Sequence, residues 1–271
     1  VHVGLAHYWS QRVGVPGLLD PVTAVQVMAA QEDRALSARI GYSAAWQKHA
    51  PLAMQAVRMY VESGMYEHLR PVAIEYHVSL WAAEVTPGVW SLVQPPPDAD
   101  ARLLAAQEKR WLDFYRMGSP WLTTFRADAI AQLPDGKYVI IDHKTGYKMD
   151  ARKQNGFRSS GQMLQYQLWG PLAYGRAWDG VHIGFVNLGM LDKGAKAALA
   201  SFRVASRPEA VATFPQAVCQ RAEMLRTFML AGERSDGTVD LAGFPRAFSE
   251  SLACVGRYAN CDFIHRCIGA E

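Results

Sequence analysis

No stretch of this sequence approaches the roughly 20 consecutive apolar residues needed to cross a bilayer. No leader of basic, apolar and small cleavage-site residues opens it either. A cytoplasmic protein is the expectation. Cysteine is scarce, with four in 271 residues. In an intracellular chain such thiols read as reduced side chains or metal ligands rather than as a disulfide frame. A large excess of one charge is missing too: 28 Lys and Arg against 25 Asp and Glu leave +3. That balance alone neither marks nor excludes a nucleic-acid binder, because acidic metal ligands offset a basic groove. There is no Gly-x-x-x-x-Gly-Lys-Ser/Thr loop to cradle nucleotide phosphates, no internal repeat and no low-complexity tract. The sequence opens on Val1 rather than methionine, and some native N-terminus is expected to precede it.

Apolar residues are plentiful. Half the chain is hydrophobic and a fifth is charged, enough to bury a sizeable core. The length suits one large domain, or a core with an appended module. We divide a single domain, 1–271, into a helical part (1–68), a core (70–190) and a C-terminal helical, cysteine-containing part (191–271).

Residues 20–32 and 36–65 carry helical spacing, and 71–84 alternate as a strand. Residues 98–117 predict one helix, N-capped by Asp98 or Asp100. Residues 121–133 and 137–142 predict two strands joined at Pro134-Asp135-Gly136, a strong turn signal. A polar, basic loop is expected over 145–158, then a helix over 160–174, strands at 181–188 and 199–205, and a long helix over 208–231. Helices interleaved with strands predict an α/β fold with a mixed sheet and helices packed on it.

The chemistry concentrates at Asp142-His143-Lys144, where an apolar strand ends in an acid, a spacer and a lysine. Side chains alternate along a strand, so Asp142 and Lys144 share a face. Across the hairpin, Asp128 interrupts another apolar strand. Two converging carboxylates suit a hard, oxygen-loving cation. Such a cation lowers the pKa of water and neutralises charge developing on a phosphate, and a lysine beside it can orient that water. An isolated Asp-x-Lys triplet is usually a surface ion pair; the partner acid across the hairpin argues against that here.

Residues 125–146, FRADAIAQLPDGKYVIIDHKTG, resemble the core of RecB-type exonucleases in the PD-(D/E)XK nuclease superfamily, which include CRISPR-associated adaptation nucleases. Gln162-Met-Leu-Gln-Tyr166 resembles that family's Gln-x-x-x-Tyr helix motif, with positions i and i+4 on one helix face. Glu75 matches a glutamate on the first core strand. The opening VHVGLA resembles the segment that carries the family's histidine, which makes His2 the candidate and His7 the fallback register; Ala6 stands where a glutamate is common. The resemblance implies a three-layer α/β/α restriction-endonuclease-like core with a helical N-terminal region and a loop-rich C-terminal cap.

The same resemblance implies that Asp128, Asp142 and the backbone carbonyl of His143 bind Mg²⁺ or Mn²⁺. His2 would bind a second metal or orient the first, and Lys144 would sit by the nucleophilic water. Glu75 would support the metal shell through water or a basic side chain. Gln162 and Tyr166 would contact DNA phosphate or order the site. Arg126, on the same strand face as Asp128, would touch phosphate or pair with a carboxylate. Lys148, Arg152, Lys153 and Arg158 follow the motif as a basic run that would hold a DNA backbone. Tyr147 and Phe157 are candidates for stacking on bases.

Cys254, Cys261 and Cys267 resemble the clustered cysteines that hold a [4Fe–4S] cluster in many RecB-type nucleases, although Cys254 stands farther from Cys261 than that pattern asks. Zinc with His265, or Cys219 as a fourth thiolate, is the metal alternative. Cysteines kept only as small buried hydrophobes are the simpler one. The implied activity is metal-dependent DNA hydrolysis by an exonuclease in recombination, repair or phage DNA processing, with any helicase on a partner chain. A sequence- or structure-specific endonuclease and a non-catalytic DNA-binding subunit are the alternatives.

Overall fold

The computed structural model describes residues 1–37, 45–158 and 160–240. Two compact units divide the chain, the first comprising Val1–Val93 and Leu122–Ala217, the second Gln94–Trp121 and the chain from Val218 onward. Among the described residues no helix is long and apolar enough to cross a membrane.

The first unit opens with three helices: α1 (His2–Val13), α2 (Pro21–Ser37) and α3 (Ala45–Glu62). Gly14, at φ 88°, ends α1 in the left-handed conformation that a side chain disfavours. Asp20 starts α2 by accepting the backbone N–H of Val22 at 2.9 Å and of Thr23 at 3.1 Å, with Pro21 at the first helical position. Strands β1 (Arg70–Thr86) and β2 (Val89–Val93) then pair antiparallel. The second unit supplies α4 (Ala99–Gln107) and α5 (Trp111–Met117). Residues 98–117 are therefore two helices, not one: Lys109 takes φ 57° and turns the chain out of helical conformation. Asp98 is the N-cap residue of α4, but its side chain makes no capping bond; it pairs instead with buried Arg102 at 2.7 Å.

Next come β3 (Trp121–Gln132), β4 (Tyr138–Gly146), α6 (Ala151–Arg158) and α7 (Gly161–Tyr174). Strand β5 (Trp178–Asn187), short helix α8 (Ala195–Ala198), strand β6 (Leu199–Val204) and long helix α9 (Pro208–Ala231) complete the described elements. The expected basic loop over 145–158 is half helix. Asp150 caps α6 by accepting the N–H of Lys153 at 2.9 Å, a local bond that overrides the lack of apolar periodicity.

The sheet order is β2-β1-β3-β4-β5-β6. The β3–β4 and β5–β6 pairs are antiparallel and β4–β5 is parallel, so the sheet is mixed. Parallel strands need a crossover, and α6 and α7 provide it. On one sheet face Leu5, Trp9, Val25, Val57 and Tyr60 of α1–α3 pack on Val139 and Ile141. On the other, Met163 and Tyr166 of α7 pack on Ile130, Ile140, Ile183 and Phe185. This is the α/β/α arrangement, with β4 buried from both sides.

Strand β1 changes step partway along. Ala73 packs with the α7-side cluster and Ile74 with the opposite one, yet Val78 and Leu80 lie on the α7 side. Strict alternation from Ala73 would place odd-numbered residues there. The slip falls at Glu75, whose φ of 49° is left-handed for a residue with a side chain. Such a position costs about 1–3 kcal/mol and inserts one residue into the strand's rhythm.

Helix α7 approaches β5 closely through Gly170. A Cβ there would lie 2.3–2.5 Å from ring atoms of Trp178. Gly170→Ala is expected to destabilise the fold by about 1–3 kcal/mol, read as a lower urea midpoint at unchanged slope. An unchanged midpoint would show that the Trp178 ring swings aside.

Candidate active site

The hairpin positions the acids. Leu133 and Lys137 close its turn, the Leu133 N–H donating to the Lys137 carbonyl at 2.8 Å, with Gly136 at φ 85°. The β3–β4 ladder runs from Gln132↔Tyr138 to Ala129↔Ile141 and stops there. Beyond that point the backbone N–H of His143 is taken by a side chain: Asp128 Oδ2 accepts it at 2.7 Å. A residue's N–H and C=O leave an extended strand on the same side, so the His143 carbonyl opens onto the gap where Asp128 sits.

Alternation along β4 divides the motif between two faces. Asp142 and Lys144 point towards α7, and their side chains pair, Lys144 Nζ lying 2.6 Å from Asp142 Oδ2. His143 points the other way and is buried. The indole N–H of Trp9 donates to His143 Nε2 at 3.3 Å, and the Tyr60 hydroxyl lies 2.9 Å from the same nitrogen. An indole nitrogen only donates, so Nε2 is the acceptor and the ring proton is assigned to Nδ1. That nitrogen faces Asp128 Oδ2 at 3.6 Å. Gly184 on β5 permits this packing; a Cβ there would lie 3.2 Å from the His143 ring and 3.3 Å from Tyr66.

A closed circuit of contacts surrounds Asp142. Lys144 Nζ donates to Gln162 Oε1 at 3.0 Å. Gln162 Nε2 donates to the Tyr166 hydroxyl at 2.7 Å. That hydroxyl lies 3.1 Å from Asp142 Oδ1 and 3.0 Å from the Arg126 carbonyl, and its single proton serves one of them at a time. In this geometry the Gln162–Tyr166 pair links Lys144 to Asp142. Tyr166 has no exposed surface with which to meet DNA.

Asp142 itself is fully buried, and burial raises its carboxyl pKa above the usual value, with Lys144 offsetting the rise only in part. Burial also pushes Asp128 upward, but its contacts with His143 outweigh that, so Asp128 lies below the usual carboxylate range. Two neighbouring acids with opposed shifts are a frequent mark of functional sites.

The remaining expected residues divide. His2, at the start of α1, brings Nδ1 to 3.7 Å from Asp128 Oδ2 while about half exposed. His7 contacts the Leu19 carbonyl instead, so the fallback register is set aside. Glu75 pairs with Arg126 at 2.7 Å. Lys148 is 79% exposed, and Arg158 is exposed at the end of α6. Lys153 is drawn inward, its Nζ 5.1 Å from the Phe185 ring centroid. Arg152 lies in α6, its side chain outside the described residues. Tyr147 is exposed, whereas Phe157 is partly buried and packs against the α7-side core beside Phe202. Cys254, Cys261, Cys267 and His265 lie outside the described residues. Cys219 is buried in α9, and burial pushes its thiol up to about 12. Sequence reasoning missed Trp9 and Tyr60; the helical spacing of His2, Leu5 and Trp9 was the signal for the first.

The donors fit a hard cation. Asp142 Oδ2 is buried, and Lys144 Nζ lies 2.6 Å from it. One ammonium takes up one lone pair, and a carboxylate oxygen has a second for another partner. Among the described residues no group of three or more His, Cys, Asp or Glu side chains is gathered for a metal. Two carboxylates plus a carbonyl and waters nonetheless suit Mg²⁺-like ions, which retain much of their hydration.

The profile of the PD-(D/E)XK nuclease superfamily matches residues 1–267. The chain belongs to that superfamily. A comparison with curated proteins gives no match. Membership implies metal-dependent nuclease chemistry and a nucleic-acid substrate.

Tyr166→Phe leaves Gln162 Nε2 and Asp142 Oδ1 without their shared partner. We expect a loss of about 1–3 kcal/mol in urea unfolding. Combined with Gln162→Ala it should be non-additive; strict additivity would show that the two side chains act separately.

Proposed function

We infer that this PD-(D/E)XK protein is a Mg²⁺- or Mn²⁺-dependent deoxyribonuclease of the RecB exonuclease type. It hydrolyses phosphodiester bonds by direct attack of water, without a covalent intermediate. The observation that carries this reading is the Lys144–Gln162–Tyr166–Asp142 circuit, which holds a lysine beside a carboxylate oxygen that has a lone pair to spare.

In this reading Asp128, Asp142 and the His143 carbonyl hold the metal, and His2 completes or orients its shell. When bound, the ion lowers the pKa of water and offsets charge growing on the phosphate. Lys144 orients the attacking water, with its amine fixed by Gln162. Tyr166 holds Asp142 in register, and Trp9 and Tyr60 hold the His143 ring so that its peptide group faces the gap. Glu75 restrains Arg126. Arg126, Lys148 and Arg158 supply phosphate contacts, with Lys153 and Arg152 on the same segment as Arg158. A [4Fe–4S] cluster or zinc at Cys254, Cys261 and Cys267 would be structural rather than hydrolytic. The setting is recombination, repair or phage DNA processing in the cytoplasm, with a helicase partner where duplex must be opened. The same residues would serve an endonuclease, and a circular substrate separates the two.

End-labelled linear DNA, single- and double-stranded, is the test, with Mg²⁺ or Mn²⁺ and an EDTA control. Label should be lost only with metal, and circular DNA should survive. Asp142→Ala and Lys144→Ala should each lower the rate by roughly 10²–10⁴-fold. Cleavage of circles would move the assignment to an endonuclease. Folded protein that cuts nothing would move it to a DNA-binding subunit. His2→Ala should raise the metal concentration for half-maximal activity by about 10–100-fold, and an unchanged metal titration would remove His2 from the metal shell.

A further inference from the structure

Strand β4 presents a short charged row towards α7. Asp142 and Lys144 are its first two members, and alternation puts residue 146 third on the same face. That residue is Gly146, and an ammonium from another element stands where its side chain would be. A Cβ at Gly146 would lie 2.7 Å from Lys153 Nζ. Its next neighbours, ring atoms of Phe185 at 3.4 and 3.5 Å, are at ordinary van der Waals distance. Helix α6 carries Lys153 to this place, and the Phe185 ring receives it, with Nζ 5.1 Å from the ring centroid. The row therefore reads carboxylate, ammonium, ammonium, although the third charge comes from α6.

Lys153 differs from the other cations of its segment. Lys148 and Arg158 are exposed, whereas Lys153 is partly buried and seated between Gly146 and Phe185. Among the described residues no carboxylate pairs with its ammonium. The acid nearest in sequence, Asp150, accepts the Lys153 backbone N–H at 2.9 Å and lies 3.9 Å from Lys148 Nζ. Asp142 is answered by Lys144. One row thus holds two ammonium groups against one carboxylate, and like charges repel until an anion joins them. The Lys144 and Gly146 positions are two strand steps apart, about 6.6–6.8 Å. That spacing gives each ammonium its own anion, as successive groups of a polyanion would supply.

We propose that Lys153 binds the phosphate next to the scissile one and so sets the register of the substrate strand over Lys144. The proposal rests on the reading of the protein as a DNA nuclease and adds a positioning residue to it. Lys144 serves the attacking water, and Lys153 holds the backbone one step along the strand. Gly146 is the condition, since any side chain there would displace the ammonium. A phosphate contact carries no sequence information, so the register is set without preference for a base. The Asp150 cap has a purpose in this arrangement, because it starts the helix that delivers the lysine.

The test uses the full chain and the linear DNA of the cleavage assay. Binding is read by fluorescence anisotropy in EDTA across a salt series, and cleavage is read separately with Mg²⁺ or Mn²⁺. Lys153→Met keeps an apolar chain beside Phe185 and drops the charge. It should flatten the slope of log binding constant against log salt by about 0.7–0.9, the loss of one phosphate contact. Gly146→Ala adds a methyl group where the ammonium now sits and should flatten the slope equally. In the parent, one uncharged methylphosphonate next to the cleavage position should weaken binding; in Lys153→Met the same replacement should cost nothing further. Thermal melting of both variants checks that the fold is retained. If the parent binds and cuts DNA but Lys153→Met keeps the parental slope, or the methylphosphonate weakens parent and variant alike, Lys153 does not hold that phosphate and the nuclease assignment stands. A parental slope in Gly146→Ala would overturn the site over Gly146 in the same way. If the parent neither binds nor cuts DNA, both fall together.

Discussion

A carboxylate with no exposed surface must be compensated or protonated, because leaving a buried charge alone costs several kcal/mol. Asp142 is that carboxylate, and much of the first unit is arranged around it. Lys144 answers its charge from the same strand, and Tyr166 answers one oxygen from the crossover helix. These demands fix how α7 crosses the sheet, since Tyr166 must reach Asp142 while Gly170 passes close against Trp178. The second carboxyl oxygen keeps a lone pair free inside the fold. A core built only for stability would fill that place with an apolar side chain.

The single residue between the acid and the lysine serves the other layer. His143 faces α1 and α3, where Trp9 and Tyr60 fix its ring through Nε2, while its backbone N–H is fixed by Asp128. Three consecutive residues of β4 thus join both helical layers to one point. The fold and the site cannot be varied independently there. Moving α1 moves His2 and the His143 ring together, and with them two of the contacts around Asp128.

Much of this was legible in the sequence because each signal was local. The turn at Pro134-Asp135-Gly136, the apolar run into Asp142 and the i, i+4 spacing of Gln162 and Tyr166 each say what their own few residues will do. The misreadings have local physical reasons too. Helix α6 has no apolar stripe and declares itself only through the Asp150 cap. Lys109 breaks a stretch whose composition is helical throughout. The slip at Glu75 had no signal, since nothing in glutamate announces a left-handed backbone. The roles of Trp9 and Tyr60 depend on contacts far along the chain, where helical spacing says only that they are buried.

The Trp9–His143 contact spans 134 positions of sequence. During synthesis at about 5–20 residues per second, the first helix waits on the order of ten seconds for the ring it will hold. The three N-terminal helices can cluster in that interval through their own short-range contacts, but the gap between Asp128 and the His143 peptide is unframed until β4 arrives and the Tyr166 helix follows it. A nascent chain therefore holds the candidate site unassembled until residues from both helical layers and the sheet between them have been made.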